Sequence, residues 1–314
     1  MRIFIISLIP EWMVPNDYNK LWNGKSRGGT LGYLSFVFLI KKFGVGAAYT
    51  LLAFVAIYFV PFAPKATFAI WRYSRIILKN GRFKSVLFIY KNFYNLGQTI
   101  IDRVAISAGK RDDYIFDYSE PDEVKAILNS SQGIVIIGAH FGNWEIGPPF
   151  FDRYNKELRV VMMDFEHQNI KKILEAQKMV DLFKVITITD DSFSYLFEIR
   201  DALSQGKCIV IQGDRLSKSK KHFDIQFMGA NASFPLGPFV LAERLNVPVL
   251  FYFAVKTGYK RYKFDFTLSK YNSIEGDKHK EISLLKEYVG TLERVVAKYP
   301  EQWYNYYDYW KYEG

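Results

Sequence analysis

Between Tyr18 and Ile101 the chain contains no aspartate or glutamate, and this restricts what its first third can fold into. The same stretch carries Lys20, Lys25, Arg27, Lys41, Lys42, Lys65, Arg72, Arg75, Lys79, Arg82, Lys84 and Lys91, set among aliphatic and aromatic residues. With no acids beside them, these cations need counter-charge from elsewhere. An anionic lipid surface supplies it, at roughly 1 kcal/mol per basic residue near the headgroups. Residues 43–60 carry no charge over eighteen positions, the short end of what crosses a bilayer, and residues 31–40 form a second apolar run. Lys41 and Lys42 precede the longer run and Lys65, Arg72 and Arg75 follow it. The positive-inside rule therefore favours neither orientation, and a helical hairpin or shallow insertion fits as well as a span. A buried helix of a soluble domain is the third reading.

Arg72, Arg75, Lys79 and Arg82 are three, four and three residues apart, which predicts one basic side of an interfacial helix opposite Phe68, Ile76 and Leu78. Residues 1–10 are apolar but have only Arg2 ahead of the run and no small-residue cleavage pattern, so no cleaved signal peptide is expected. Aromatic residues make up 18% of the chain and the formal net charge is +10, both suited to a membrane interface. The single Cys208 excludes an internal disulfide. It and four histidines show no zinc-ligand spacing, so neither metal nor cofactor is expected. The expected organisation is a membrane-associated basic and apolar helical region over 1–100 and a catalytic domain over 101–314.

After Asp102 acids return, and short apolar runs alternate with longer helical periods. Strands are predicted over 134–138, 158–163, 185–189, 208–212, 247–254 and 262–268. Helices are predicted over 144–154, 169–183, 192–205, 236–245 and 278–298. The alternation reads as an α/β sheet with covering helices.

The chemistry concentrates in Gly133-Ile-Val-Ile-Ile-Gly-Ala-His-Phe-Gly-Asn-Trp-Glu-Ile-Gly147. Ile134 to Ile137 form a β-branched run expected of a strand buried on both faces, and Gly138 and Gly142 supply the following turn. His140 then lies just past a strand end, where open α/β sheets hold ligands. A helix beginning near Asn143 would bring Glu145 one turn on, beside the imidazole. A histidine base with an orienting carboxylate suits acyl transfer to a hydroxyl without a covalent enzyme intermediate. Amides around Phe141 to Asn143 are candidates for oxyanion stabilisation. Gly213-Asp-Arg215 follows another strand end, with Arg215 placed to bind phosphate and Asp214 to hold it.

The spacing of His140 and Glu145 resembles the lysophospholipid acyltransferase superfamily, whose mark is histidine, four residues, then an acid. Within it the chain looks most like the bacterial lipid A late acyltransferases, through Gln212-Gly-Asp-Arg215, the stretch Phe227 to Ala242, and Tyr299-Pro-Glu-Gln-Trp303. The resemblance implies a mixed sheet of the glycerolipid-acyltransferase kind, with an N-terminal membrane-associated element. It implies His140 and Glu145 as catalytic, and Gly142, Asn143, Asp214, Arg215, Ser233 and Gly237 as substrate-binding. The donor would be acyl carrier protein or acyl-CoA, and the acceptor a lipid such as a lipid A precursor. The place implied is the cytoplasmic face of a bacterial inner membrane, with no nucleic-acid partner.

The chain departs from that family's pattern where a Tyr-Arg-Pro-like stretch is usual and Met163-Asp-Phe-Glu-His-Gln-Asn169 stands instead. An aromatic run, Trp303 to Trp310, replaces a basic ending and is read as lying at headgroup depth, lining an acyl groove or packing on the sheet. Acylation of another lipid, an amino-acid lipid or a polyene pigment, is the neighbouring alternative. Ser217 to His222 reads as a basic loop. A non-enzymatic nucleic-acid binder would need the same cations but has no use for the apolar runs beside them. A hydrolase finds no Gly-x-Ser-x-Gly elbow or His-Glu-x-x-His motif in the chain.

Overall fold

The computed structural model describes residues 29–163, 183–188, 194–216, 221–271 and 277–310. These form two compact units, one of residues 29–113 with Glu301–Tyr309, the other of Tyr114–Pro300 with Trp310.

The first unit is helical. Helices α1 (Gly29–Phe43) and α2 (Val45–Phe62) are hinged at Gly44, whose φ is 84°, and α2 ends in the Pro61/Pro64 elbow before α3 (Pro64–Arg72). One side of α2, including Ala48, Leu52, Val55, Ala56 and Phe59, is buried. Its neighbour α4 (Arg82–Ser107) approaches closely because Gly97 has no side chain; a Cβ there would stand 2.3 Å from Leu52 Cδ1. Tyr49 donates to the buried Asp102 at 2.5 Å, and Phe59 packs on Phe93.

The predicted basic helix through Arg72, Arg75, Lys79 and Arg82 is not continuous. After α3 the backbone widens into a π-turn (Tyr73–Ile77), Lys79 adopts φ 54°, and α4 starts afresh at Arg82. Arg72 pairs with Asp308 and Arg75 donates to the Asn80 carbonyl, so two of the four cations brace the break. The aromatic ending is a core element. Trp303, Tyr304 and Tyr306 are at most 2% exposed, with Trp303 against Tyr73 and Tyr306 against Phe93, and Asn92 donates to the Glu301 and Trp303 carbonyls. Headgroup depth and an acyl groove give way to packing on helices for residues 303–306, whereas Trp310 keeps the sheet reading: it stacks on Phe227, donates its indole N–H to the Phe227 carbonyl and bridges Ala232. The aromatic tail covers the apolar surface left between the π-turn and α4.

The second unit holds a seven-stranded mixed sheet in the order β1-β9-β8-β2-β5-β3-β4. The strands are β1 (Ile115–Asp117), β2 (Ile134–Gly138), β3 (Leu158–Met163), β4 (Lys184–Ile188), β5 (Cys208–Gln212), β8 (Val249–Gly258) and β9 (Arg261–Leu268). Only the β8–β9 pair is antiparallel. Ile134 to Ile137 are fully buried because both faces of β2 are covered. On one face Tyr288, from the helix Lys280–Lys298, packs on Phe251 and Phe239. On the other, Phe150 and Phe151 pack on Phe266 and Tyr252.

Six of the strands agree with their predicted positions to within a few residues. Three were missed: β1, and the separate hairpin β6 (His222–Phe227) with β7 (Ala230–Pro235). The basic-loop reading of residues 217–222 therefore ends at the start of β6, and residues 217–220 lie outside the described ones. So does the predicted helix 169–183 up to residue 182, together with 164–169 of the departing motif. The predicted helix 144–154 is broken into a 3-10 turn (Trp144–Ile146) and a short helix (Pro148–Asp152), because Gly147, Pro148 and Pro149 interrupt it.

Candidate active site

Strands β2 and β5 are parallel neighbours, with Gly138 level with Gln212. The connections leaving them run in opposite directions along the sheet: β2 leads to β3, beyond β5, and β5 leads to β8, beyond β2. In open α/β sheets the carboxyl ends of strands at such a reversal are where ligands bind. Gly213 donates from its N–H to the Gly138 carbonyl at 2.9 Å, holding the two strand ends together. A side chain at Gly213 would have no room, since a Cβ would lie 2.8 Å from Ile137 and 3.0 Å from the Tyr288 ring.

These strand ends deliver His140 and Asp214 to one another. His140 Nδ1 lies 2.8 Å from Asp214 Oδ1, and the His140 backbone N–H donates to Asp214 Oδ2 at 3.0 Å. One carboxylate thus orients both the backbone and the ring of the histidine. The His140 side chain is 13% exposed and Asp214 2%. Burial first, and then the Arg215 guanidinium, push the His140 pKa below 6.5 against the opposing pull of Asp214 and Glu145. Burial opposes charge on Asp214 too, but His140, its hydrogen bonds and Arg215 together hold that carboxyl below the usual range. The resulting state is a neutral imidazole with Nδ1–H given to an ionised Asp214, which leaves the basic lone pair on Nε2.

The structure adds a His140–Asp214 hydrogen-bonded pair that the sequence reading did not make, having set Asp214 beside Arg215 and Glu145 beside His140. Glu145 sits on the 3-10 turn rather than one turn along an α-helix, near enough for its charge to favour the imidazolium. Arg215 is near enough for its charge to act on both His140 and Asp214.

The loop joining His140 to Glu145 is tied to β8. Gly142 has φ 60° and bridges Ala254, whose carbonyl would stand 1.9 Å from any Cβ at this position. Asn143 N–H donates to that same carbonyl at 2.8 Å and Phe141 N–H to Ala139 at 2.7 Å. Those two amides are taken, one by the loop and one by β8, which removes Phe141 and Asn143 from the amides around Phe141 to Asn143 expected to stabilise an oxyanion. The Asn143 side chain is buried and donates to Tyr262 at 3.3 Å. Ser233, on β7, donates to Asp224 of β6 at 2.5 Å. Gly237 opens the helix Gly237–Leu245, where the space beside its Cα is open.

Sequence reasoning named Gln212 only as part of the motif Gln212-Gly-Asp-Arg215 and gave it no place in the site. Both polar atoms of its side chain are buried without a hydrogen-bond partner, and its amide lies over the bare Gly138 Cα. Its place as the last residue of β5, just before Gly213-Asp214, was the available signal.

Residues 25–312 match the protein-family model described as bacterial lipid A biosynthesis acyltransferase, nearly the whole chain. No curated protein matches the sequence.

Proposed function

Because the chain belongs to the bacterial lipid A biosynthesis acyltransferase family, and so is a lipid acyltransferase, we propose that His140 is the general base that moves a fatty acyl chain from a thioester donor to a lipid hydroxyl. The observation that carries this reading is the buried His140–Asp214 pair at the ends of two adjacent parallel strands.

In the proposed cycle Nε2 of His140 removes the proton of the acceptor hydroxyl as its oxygen attacks the thioester carbonyl carbon. The tetrahedral intermediate collapses with cleavage of the C–S bond, and the imidazolium returns its proton to the departing thiolate. Asp214 keeps the ring in the Nδ1–H tautomer and stabilises the imidazolium, with Glu145 adding a second negative charge. Arg215, whose charge acts on both His140 and Asp214, is given the role of offsetting the developing oxyanion or a phosphate of either substrate. Gly142 and Asn143, in the loop tied to β8 beside the base, and Ser233 and Gly237 keep the substrate-binding roles proposed for them. An amine acceptor would follow the same steps.

The donor class is an acyl thioester of acyl carrier protein or coenzyme A. The acceptor is a lipid A precursor at the cytoplasmic face of the inner membrane. Met163-Asp-Phe-Glu-His-Gln-Asn169, in place of the family's usual stretch, favours a second acceptor class, an amino-acid lipid or a pigment. The test is an assay of the purified chain and of His140→Ala with both donors against a panel of lipid acceptors, beside lipid profiling of cells with and without the gene. Loss of one acylated species together with His140-dependent transfer in vitro is expected. Undiminished transfer by His140→Ala would remove the mechanism.

A further inference from the structure

Resting on the membrane-enzyme reading above, we infer that α2 lies in the plane of one leaflet of an anionic membrane and does not cross it, so that both of its ends face the same compartment. At 18 residues it is about 27 Å long, close to the roughly 30 Å of a hydrocarbon core, and by length and composition alone it qualifies as a span. Its surroundings decide otherwise.

Among the described residues α2 leaves one stripe open: Leu51, Phe54, Ile57 and Phe62 are 36–68% exposed and recur at helical spacing. The opposite side is occupied along its length by α4, which runs antiparallel to it, with Tyr49 against Asp102, Leu52 against Gly97 and Phe59 against Phe93. A perpendicular α2 would carry this partner to the same depth. The half-buried Asn95 and Gln98 of this partner, and the Asp102 carboxylate with its Tyr49 hydroxyl, would then be carried to hydrocarbon depth, where polar and charged groups are costly even when paired. An in-plane helix avoids this. Its outer stripe enters the acyl region, while α4 stays on the aqueous side.

Charge points the same way. Lys41 and Lys42 close α1 just before the hinge, and Lys65, Arg72 and Arg75 follow the elbow, with no acid in any of these helices. Cations at both ends of an apolar helix satisfy the positive-inside rule only when both ends remain on one side. Exposed Phe38 and Phe43 on α1, Phe68 on α3 and Phe83 at the start of α4 add apolar surface next to these cations. The stripe continues past the elbow into an apolar depression of about 420 Å³ lined by Val60, Pro61, Pro64, Thr67, Phe68 and Trp71.

The test uses the full chain with Lys42→Cys or Lys65→Cys, both exposed positions flanking α2. Native Cys208 is buried and its thiol is pushed up to about 12, so it does not compete for a maleimide. In sealed inverted membrane vesicles and in spheroplasts, a membrane-impermeant maleimide should label both positions from the same side. Labelling of one position in each preparation would overturn the inference.

Depth is read separately, with a fluorophore on cysteines at Leu51, Phe54, Ile57 or Phe62 and lipids brominated at defined depths. One common shallow depth is expected, and Phe54→Asp with Ile57→Asp should weaken binding to anionic vesicles roughly tenfold or more. A maximum depth at Phe54 would indicate a span. No quenching together with concentration-dependent self-association would assign the stripe to a second copy of the chain. Acyl transfer measured in the same membranes keeps the outcomes apart, since activity with two-sided labelling would leave the catalytic reading standing and remove only the topology.

Discussion

The neighbours of His140, the proposed base, disagree about its charge. Burial and Arg215 disfavour the imidazolium, while Asp214 and Glu145 favour it, and the balance lies below 6.5. The acid limb of kcat/KM should therefore be centred below pH 6.5, with a plateau by neutrality. Asp214→Asn removes an anion that raises this pKa, so the limb should move to lower pH while kcat falls roughly 10²- to 10⁴-fold through loss of the correct tautomer and of imidazolium stabilisation. A pH–rate profile of both forms checks this, and an unmoved limb would dissociate Asp214 from the base. The same depressed pKa has a consequence for folding. Between the folded value and 6.5 the unfolded chain binds more protons, so stability should decline as pH falls through that window. The residues of this site were legible one at a time, as a histidine past a strand end and an acid past another. Their pairing was not, because it spans 74 residues and arises from two strands that become neighbours only in the sheet.

At the scale of elements, the loop after β2 is shaped by Gly142. Its positive φ is strained for any side chain, and a methyl group would run into the Ala254 carbonyl. Gly142→Ala should destabilise the second unit by about 2–4 kcal/mol through strain and overpacking, and should reduce transfer by displacing His140. Urea unfolding followed by circular dichroism measures the first effect. Tyr288→Phe is milder. It removes the hydrogen bond from Tyr288 to the Gly138 carbonyl, which retains the Gly213 N–H, and should cost about 0.5–1.5 kcal/mol. The central strands could be read from their β-branched runs, because burial on both faces leaves an uninterrupted apolar pattern. The hairpin β6–β7 could not. His222 to Phe227 alternates exposed polar and half-buried residues and pairs only with β7, so its identity as a strand depends on a partner reached through Met228 and Gly229.

For the molecule as a whole, the C-terminal segment is a structural component of the helical unit. A chain ending at Gln302 would lose Trp303, Tyr304 and Tyr306 from the packing around Tyr73 and Phe93, and should fail to give a cooperative thermal transition for that unit. Replacing Lys41 and Lys42 by glutamine should weaken binding to anionic vesicles by roughly fivefold per charge, an effect that fades as salt is raised. Sequence alone determined the α/β class, the acid-free helical region and the residue types of the site, because these follow from local periodicity, burial on two faces and uneven charge. Tertiary structure alone decided which carboxylate grips His140, that the basic helix breaks at Lys79, that the aromatic ending is core, and which stripe of α2 is left open. Each of these depends on what is brought alongside from far along the chain. A one-dimensional pattern carries no record of such neighbours.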